Sequence, residues 1–398
     1  MKALDKIRYI RPTTLIILSF YSYDLLYPLF SVLVGPDVSE LLCLFILLFS
    51  VLIGLVHRSR ILKFDAVMLY FVCLVLFCLT VIRYPEYRIY IFGEDNSVLK
   101  NVFSIRHGII LYALYRIEED PTLLLGDIKL AAIPVWISYT LRTFSGAGTE
   151  EYGYNHAYGF AFLFVCLIFL IFFLREKKIT YLVISSIALL QVIMYASRTA
   201  LLAYLLFLLF YILFVSTTKN NKIKKIIGLV LSAIAVIVFT SKQVLLGIVG
   251  LLESIGISSR TLQLFALGSV ELDGGRKMMY EQSWEILKNK PLGCGLYWDR
   301  YAFPRFHYVH SFLYEVLIDF GWIIGGLLLF LLIIMTIRIL RSDSIEFKLL
   351  FMMFFSLSMV RLMLSYSFWL EDNFWAMLAI IINFWLLQRS KTQSLRSD

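Results

Sequence analysis

The sequence predicts an all-α polytopic membrane protein with about 12 transmembrane helices and one large outer loop between the ninth and tenth spans. Three observations lead there. Of the 398 residues, 60% are hydrophobic and only 16% charged, far from the balance of soluble globular chains. Apolar runs near span length recur along the whole chain, each able to carry about 20 residues across about 30 Å of hydrocarbon. The polar connections between them alternate between two kinds, one rich in lysine and arginine and one poor in both. Short cytoplasmic loops collect positive charge, so this alternation assigns the two sides. A net charge of +9 would suggest acidic partners for a soluble protein. Here the place of each charge relative to the bilayer carries more information, and no nucleic-acid partner is expected.

The chain opens on "MKALDKIRYIRPTTLIILSFYSYDLLYPLF". Its basic start is that of a signal sequence, but the apolar stretch has span length and no small-residue cleavage site follows, so it reads as a retained first span. Candidate spans then lie near 13–34, 38–56, 64–83, 101–115, 122–142, 156–174, 179–196, 199–215, 223–240, 309–337, 346–366 and 370–388. The fourth and fifth are the least regular, because they hold Arg106, His107 and Lys129. The basic connections are the N-terminus with Lys2, Lys6, Arg8 and Arg11, "HRSRILK" at His57, "REKK" at Arg175, "TKNNKIKK" at Thr218, "RILRSDSIEFK" at Arg338 and the tail from Arg389. The others are "GPDVSE" at Gly35, "YPEYRIYIFGEDNSVLK" at Tyr84 and "TFSGAGTEEYGYN" at Thr143. Both termini are therefore expected to be cytoplasmic, and residues 1–398 to form one membrane domain. Cys43, Cys73, Cys78 and Cys166 lie in apolar runs and leave Cys294 without an obvious partner, which argues against a disulfide framework.

This topology puts 241–308, the longest polar stretch, on the outer face, since long segments translocate largely regardless of charge. Within it "QVLLGIVGLLESIGI" is apolar enough for a re-entrant or surface-lying helix. "RKMMYEQSWEILKN" spaces Met279, Trp284 and Leu287 roughly along one helical face and ends at Pro291. The loop is expected to fold as a small cap over the membrane domain.

Ionisable groups at the edge of spans are costly and tend to mark pathways, substrates or one another. Arg198 in "YASRTALLAY" sits where the seventh span emerges and the eighth begins; it suits a phosphate contact or a snorkelling interfacial arginine. Arg276 follows two glycines and opens a helix, a place that favours an anion, though a solvated loop arginine reads the same way. His310 stands at the start of the tenth span, where an imidazole can take a proton from a hydroxyl or simply hydrogen-bond at the interface. His307 lies three residues earlier, without metal-site spacing. Arg305, His307 and Tyr314 are further candidate substrate contacts, and Tyr314 also fits an interfacial aromatic belt. Asp24, Arg106, Lys129 and Arg361 read as helix-to-helix pairs. Guanidinium forks suit phosphate oxygens, so two outward arginines and a histidine fit a lipid carrier with a diphosphate head. The arginines would hold the leaving charge and His310 would act as base, with no metal or other cofactor required.

"GGRKMMYEQSWEILKNKPLGCGLYW" followed by "VHSFLYEVLIDFGWIIGGLLL" resembles the signature region of the O-antigen ligase and polymerase superfamily. There an arginine, a tryptophan-bearing helix and a glycine-rich turn precede a histidine at the start of a span. "YASRTALLAY" resembles its Ser-Arg motif, and "GYNHAYGF" at Gly153 a looser opening of a preceding span. The resemblance covers roughly 150–330. It implies a bacterial inner-membrane, multi-pass glycosyltransferase whose loop faces the periplasm and which moves a glycan from an undecaprenyl-diphosphate carrier without a metal. The family arginines that bind diphosphate correspond to Arg198 and Arg276, and the family base to His310. Ser311 stands where asparagine is frequent, which removes an amide contact but leaves a hydroxyl donor.

Four functions are compatible with these residues to different degrees. A polymerase joining lipid-linked repeat units of an O-antigen, capsule or exopolysaccharide is preferred, with the lipid-linked oligosaccharide, membrane lipid and a chain-length regulator as partners. A ligase transferring the glycan to lipid A core uses nearly identical chemistry. A polyprenyl-monophosphate enzyme would use an acidic residue in the first outer loop, where Asp37 and Glu40 lie. A flippase or other transporter would be expected to show repeated halves, and none is visible.

Overall fold

A computed structural model describes residues 11–57, 63–89, 102–104, 107–144, 156–195, 198–215, 228, 246–247, 250, 276–303, 308–364 and 366–397. Among them are thirteen α-helices and no strand: α1 Pro12–Val34, α2 Pro36–His57, α3 Phe64–Arg83, α4 Ile109–Arg116, α5 Pro121–Phe144, α6 His156–Glu176, α7 Ile179–Met194, α8 Arg198–Phe214, α9 Arg276–Asn289, α10 Trp298–Ala302, α11 Phe312–Leu340, α12 Ile345–Leu364 and α13 Asp372–Ser397. Seven of these (α1, α2, α3, α5, α6, α11 and α12) are long and apolar enough to cross a membrane. The expectation of a polytopic α-helical membrane protein therefore holds. Two more, α7 and α8, are apolar but shorter, at 16 and 17 residues. Among the described residues of the fourth expected span is the eight-residue helix α4, preceded by a turn at Gly108 with φ 63°. The ninth, at 223–240, and the apolar segment around 243–257 fall almost wholly outside the described residues. None of the five cysteines forms a disulfide.

The chain divides into two compact units. The first holds α1, α2, α5, α6 and α7. Gly35, at φ 87°, is the whole connection between α1 and α2, so Asp37 and Glu40 lie in the opening turns of α2 and not in a loop. The first helix packs on α2 and α5, α5 on α6, and α6 on α7. Arg11 closes one end by donating to Glu118 at 3.2 Å and Asp127 at 2.6 Å. Lys129, expected to pair between helices, places its ammonium 4.2 Å over the Phe172 ring of α6, a cation–π contact from helix to helix.

The second unit holds α3 and α8–α13. Helices α8 and α12 pack together in opposite directions, since Lys348 near the start of α12 donates to the carbonyl of Phe214 at the end of α8. Helix α11, expected as one continuous span, is broken at Gly321, where φ is 76° and ψ 178°. The loop after α9 occupies the break. The amides of Cys294 and Gly295 donate to the carbonyls of Ile318 and Asp319, and Trp322 donates back to Pro291 at 2.9 Å. These bonds satisfy the polar backbone groups that an interrupted helix exposes. Residues 322–340 still reach about 28 Å, enough to span the hydrocarbon.

Candidate active site

The polar helix α9 starts at Arg276 and lies against α11. Its inward stripe is Met279, Ser283 and Leu287, spaced four apart. Trp284, expected on that stripe, is instead 44% exposed and meets Trp322 edge to face at 5.5 Å. Tyr280, one turn after Arg276 on the same face, stacks on Tyr314 with centroids 5.2 Å apart. Its hydroxyl reaches toward the carbonyl of His310 at 3.5 Å. The helix that Arg276 begins is thereby registered against the start of α11, where His310 stands.

His310 adopts φ 51°, uncommon for a residue with a side chain. Ser311 caps α11 with extended backbone and no side-chain bond to the helix, so the hydroxyl contact inferred for it is not used in capping. The imidazole packs edge-on to Tyr308 at 4.2 Å. Tyr308 is itself sandwiched: the guanidinium of Arg300 is 4.5 Å from its ring centre and the Tyr366 ring 6.2 Å away. Burial pushes the Tyr308 phenol up to about 12.

Beneath this layer is a buried polar floor that the sequence reading did not pick out. Glu315 accepts from the Ser367 hydroxyl and from the amide of Phe368. Asp319 accepts from the amide of Tyr297 at 3.1 Å and the indole of Trp369 at 2.7 Å. Asp299 accepts from the amide of Val309 at 3.2 Å, and burial raises its carboxyl above the usual range while Arg300 opposes the rise. Arg361 donates to Glu371 at 2.8 Å and lies 3.7 Å over the Tyr366 ring, which bears out its reading as a structural pair. Glu315 and Asp319 sit four apart in an otherwise apolar stretch, a one-face signal visible in the sequence. Asp299 and Arg300 carry no such signal, since they stand among other loop charges.

Of the residues expected at the site, the structure brings Arg276's helix, His310 and Tyr314 together. Arg198 opens α8, but its side chain lies outside the described residues, as do Arg305 and His307. An apolar cavity of about 640 Å³ is lined by Leu202 and Leu206 of α8, Phe312 and Leu313 of α11, and Met363 and Leu364 of α12, among others. Leu202 is one turn beyond Arg198 and Phe312 two residues beyond His310. The N-terminal ends of α8 and α11 therefore border the same apolar space. Among the described residues no group of three or more His, Cys, Asp or Glu side chains is placed to hold a metal ion.

Residues 183–331 match the family model described as O-antigen ligase. The matched segment includes Arg198, Arg276 and His310, and it supports the O-antigen ligase and polymerase-like superfamily for this chain. No curated protein and no solved structure matches it.

Proposed function

We propose that this chain, whose residues 183–331 support the O-antigen ligase and polymerase-like superfamily, is an integral membrane polymerase of the bacterial inner membrane. It moves a growing glycan from an undecaprenyl-diphosphate carrier to a lipid-linked repeat unit on the outer face. His310 accepts the proton of the attacking sugar hydroxyl as the new C–O bond forms. The bond between the donor's anomeric carbon and the diphosphate oxygen breaks, and Arg198 and Arg276 hold the departing charge. The observation that carries the reading is the family match over 183–331, the segment in which all three residues lie. The registry of α9 on α11 through Tyr280 and Tyr314 supports it. The apolar cavity beside the starts of α8 and α11 offers hydrocarbon surroundings for a carrier tail.

A ligase reading, with lipid A core as acceptor, is favoured by the description of the family model itself. Both readings are tested on the purified chain reconstituted with defined lipid-linked repeats, with and without lipid A core. A polymerase gives a ladder without the core acceptor, whereas a ligase gives product only with it. A flippase gives neither, and that result would sink both.

A further inference from the structure

Helices α9 and α10 flank an open cavity of about 790 Å³ that plays no part in the transfer chemistry above. Its long wall is the face of α9 that carries Glu281, Gln282, Glu285 and Asn289, and Trp298 and Phe303 line it from the α10 side. We propose that this cavity is a saccharide subsite, holding a neutral, hydroxyl-rich part of the glycan substrate beyond its diphosphate. This inference rests on the glycan-transfer reading and extends it.

The side-chain chemistry selects the ligand class. Carboxylates and carboxamides at helical spacing offer acceptors and donors for several hydroxyls at once. Trp284, 44% exposed, lines the cavity with the Lys288 ammonium 5.9 Å over its ring and offers apolar ring surface to the C–H side of a sugar. Its orientation is set by the perpendicular contact with Trp322 and by the bond from the Trp322 indole to the carbonyl of Leu287. Lys290 holds its ammonium 4.8 Å over the Trp298 ring, which fixes the opposite wall. Charge argues against a phosphate here. Glu281 and Glu285 outnumber Lys290 on the lining, and Glu285 is further tied to Lys288 at 2.7 Å. Of the first-turn cations, only Lys277, one turn before Glu281, shares the lining face of α9, whereas Arg276 stands on the Tyr280 side of the helix.

Along the axis of α9, Glu281 is level with Tyr280, whose hydroxyl reaches the His310 carbonyl, but it points about 100° round the helix, and Asn289 stands about 12 Å farther along. A glycan reacting at His310 would turn round the first half of α9 to enter the cavity, with its charged end left behind.

The test uses the full-length chain in lipid nanodiscs. The probe is the repeat-unit oligosaccharide released by mild acid from the lipid-linked glycan of cells that carry this chain, so neither lipid nor phosphate contributes. Gln282 and Asn289 are exposed, and Gln282→Ala and Asn289→Ala remove hydrogen bonds without touching the core. Each is expected to weaken calorimetric binding about 3–10-fold, with unchanged thermal melting. Binding of the probe by the double variant as tightly as by the unaltered chain, or no binding by the unaltered chain, would overturn the subsite. If the double variant loses probe binding but the unaltered chain performs no transfer, the subsite stands and the transferase reading falls.

Discussion

Gly293 and Gly321 meet backbone to backbone. A Cβ on Gly293 would stand 2.6 Å from the amide nitrogen of Gly321, and a Cβ on Gly321 would stand 2.3 Å from the carbonyl carbon of Leu292. Both residues also have positive φ, 90° and 76°. An alanine at either place therefore meets a backbone wall and an unfavourable conformation together. Gly293→Ala and Gly321→Ala should each cost more than the about 1–3 kcal/mol of backbone strain alone, read as a lower melting temperature in detergent or loss of the monodisperse folded species. Gly326 is the control: a Cβ there meets nothing within 4 Å. Gly326→Ala should leave the melt unchanged or raise it by the helix propensity of alanine, up to about 1 kcal/mol.

Arg361 and Glu371 make a second, ionic tie between α12 and the start of α13. The Glu371 side chain is fully buried and Arg361's is 16% exposed. Glu371 also accepts from the side chain of Asn373 at 2.7 Å. Glu371→Ala leaves a buried guanidinium without its carboxylate and should cost about 3–5 kcal/mol. Pairing it with Arg361→Leu should recover part of that loss, because the uncompensated charge is gone. A double-mutant cycle on thermal or denaturant stability in detergent measures the coupling, and strictly additive effects would count against it.

Much of this architecture is legible in the residues. The all-helical membrane character follows from the apolar runs, and α9 runs from Arg276 to just before Pro291, as its periodicity and stop signals require. The placement of His310 before α11 and the pairing of Arg361 were also readable. The break at Gly321 was not, because "FGWIIGG" continues an apolar run and the bonds that stabilise the break come from a loop about 30 residues earlier. Local pattern carries no trace of a partner supplied by tertiary contact. Trp284 was misplaced for a related reason: Met279, Ser283 and Leu287 form the tighter inward stripe, and a small polar serine does not advertise burial. Asp299 and Arg300 became visible only once Tyr297 and Tyr308 enclosed the guanidinium.

Asp299 should leave a pH signature in stability. Its side chain is fully buried, one oxygen accepts from the amide of Val309, and burial raises its carboxyl above the ordinary value. The folded state then holds the proton more tightly than the unfolded chain does. The stabilising contribution is complete below the unfolded value of about 3.9 and is lost as pH rises through the higher folded value. Asp299→Asn keeps an acceptor for Val309 and never ionises. Its melting temperature should therefore gain on that of the unaltered chain as pH climbs from about 4 toward neutrality. A difference between the two that does not change with pH would show that the carboxyl titrates as it does in the unfolded chain.

The roles proposed for His310 and Arg276 separate kinetically. If His310 takes the proton of the acceptor hydroxyl, His310→Ala should lower kcat about 10²–10⁴-fold while the lipid-linked donor still binds. The stack of Tyr280 on Tyr314 and the break at Gly321 do not involve the imidazole, so the variant should still fold, with a melt lowered only by the lost contact with Tyr308. Arg276→Lys keeps the charge but loses the two-pronged geometry that suits phosphate oxygens. It should retain measurable transfer with a weakened donor, and Arg276→Ala should fall well below it. Transfer by purified His310→Ala at the unaltered rate would remove the base assignment, and Arg276→Ala with unaltered donor affinity and rate would remove the diphosphate contact.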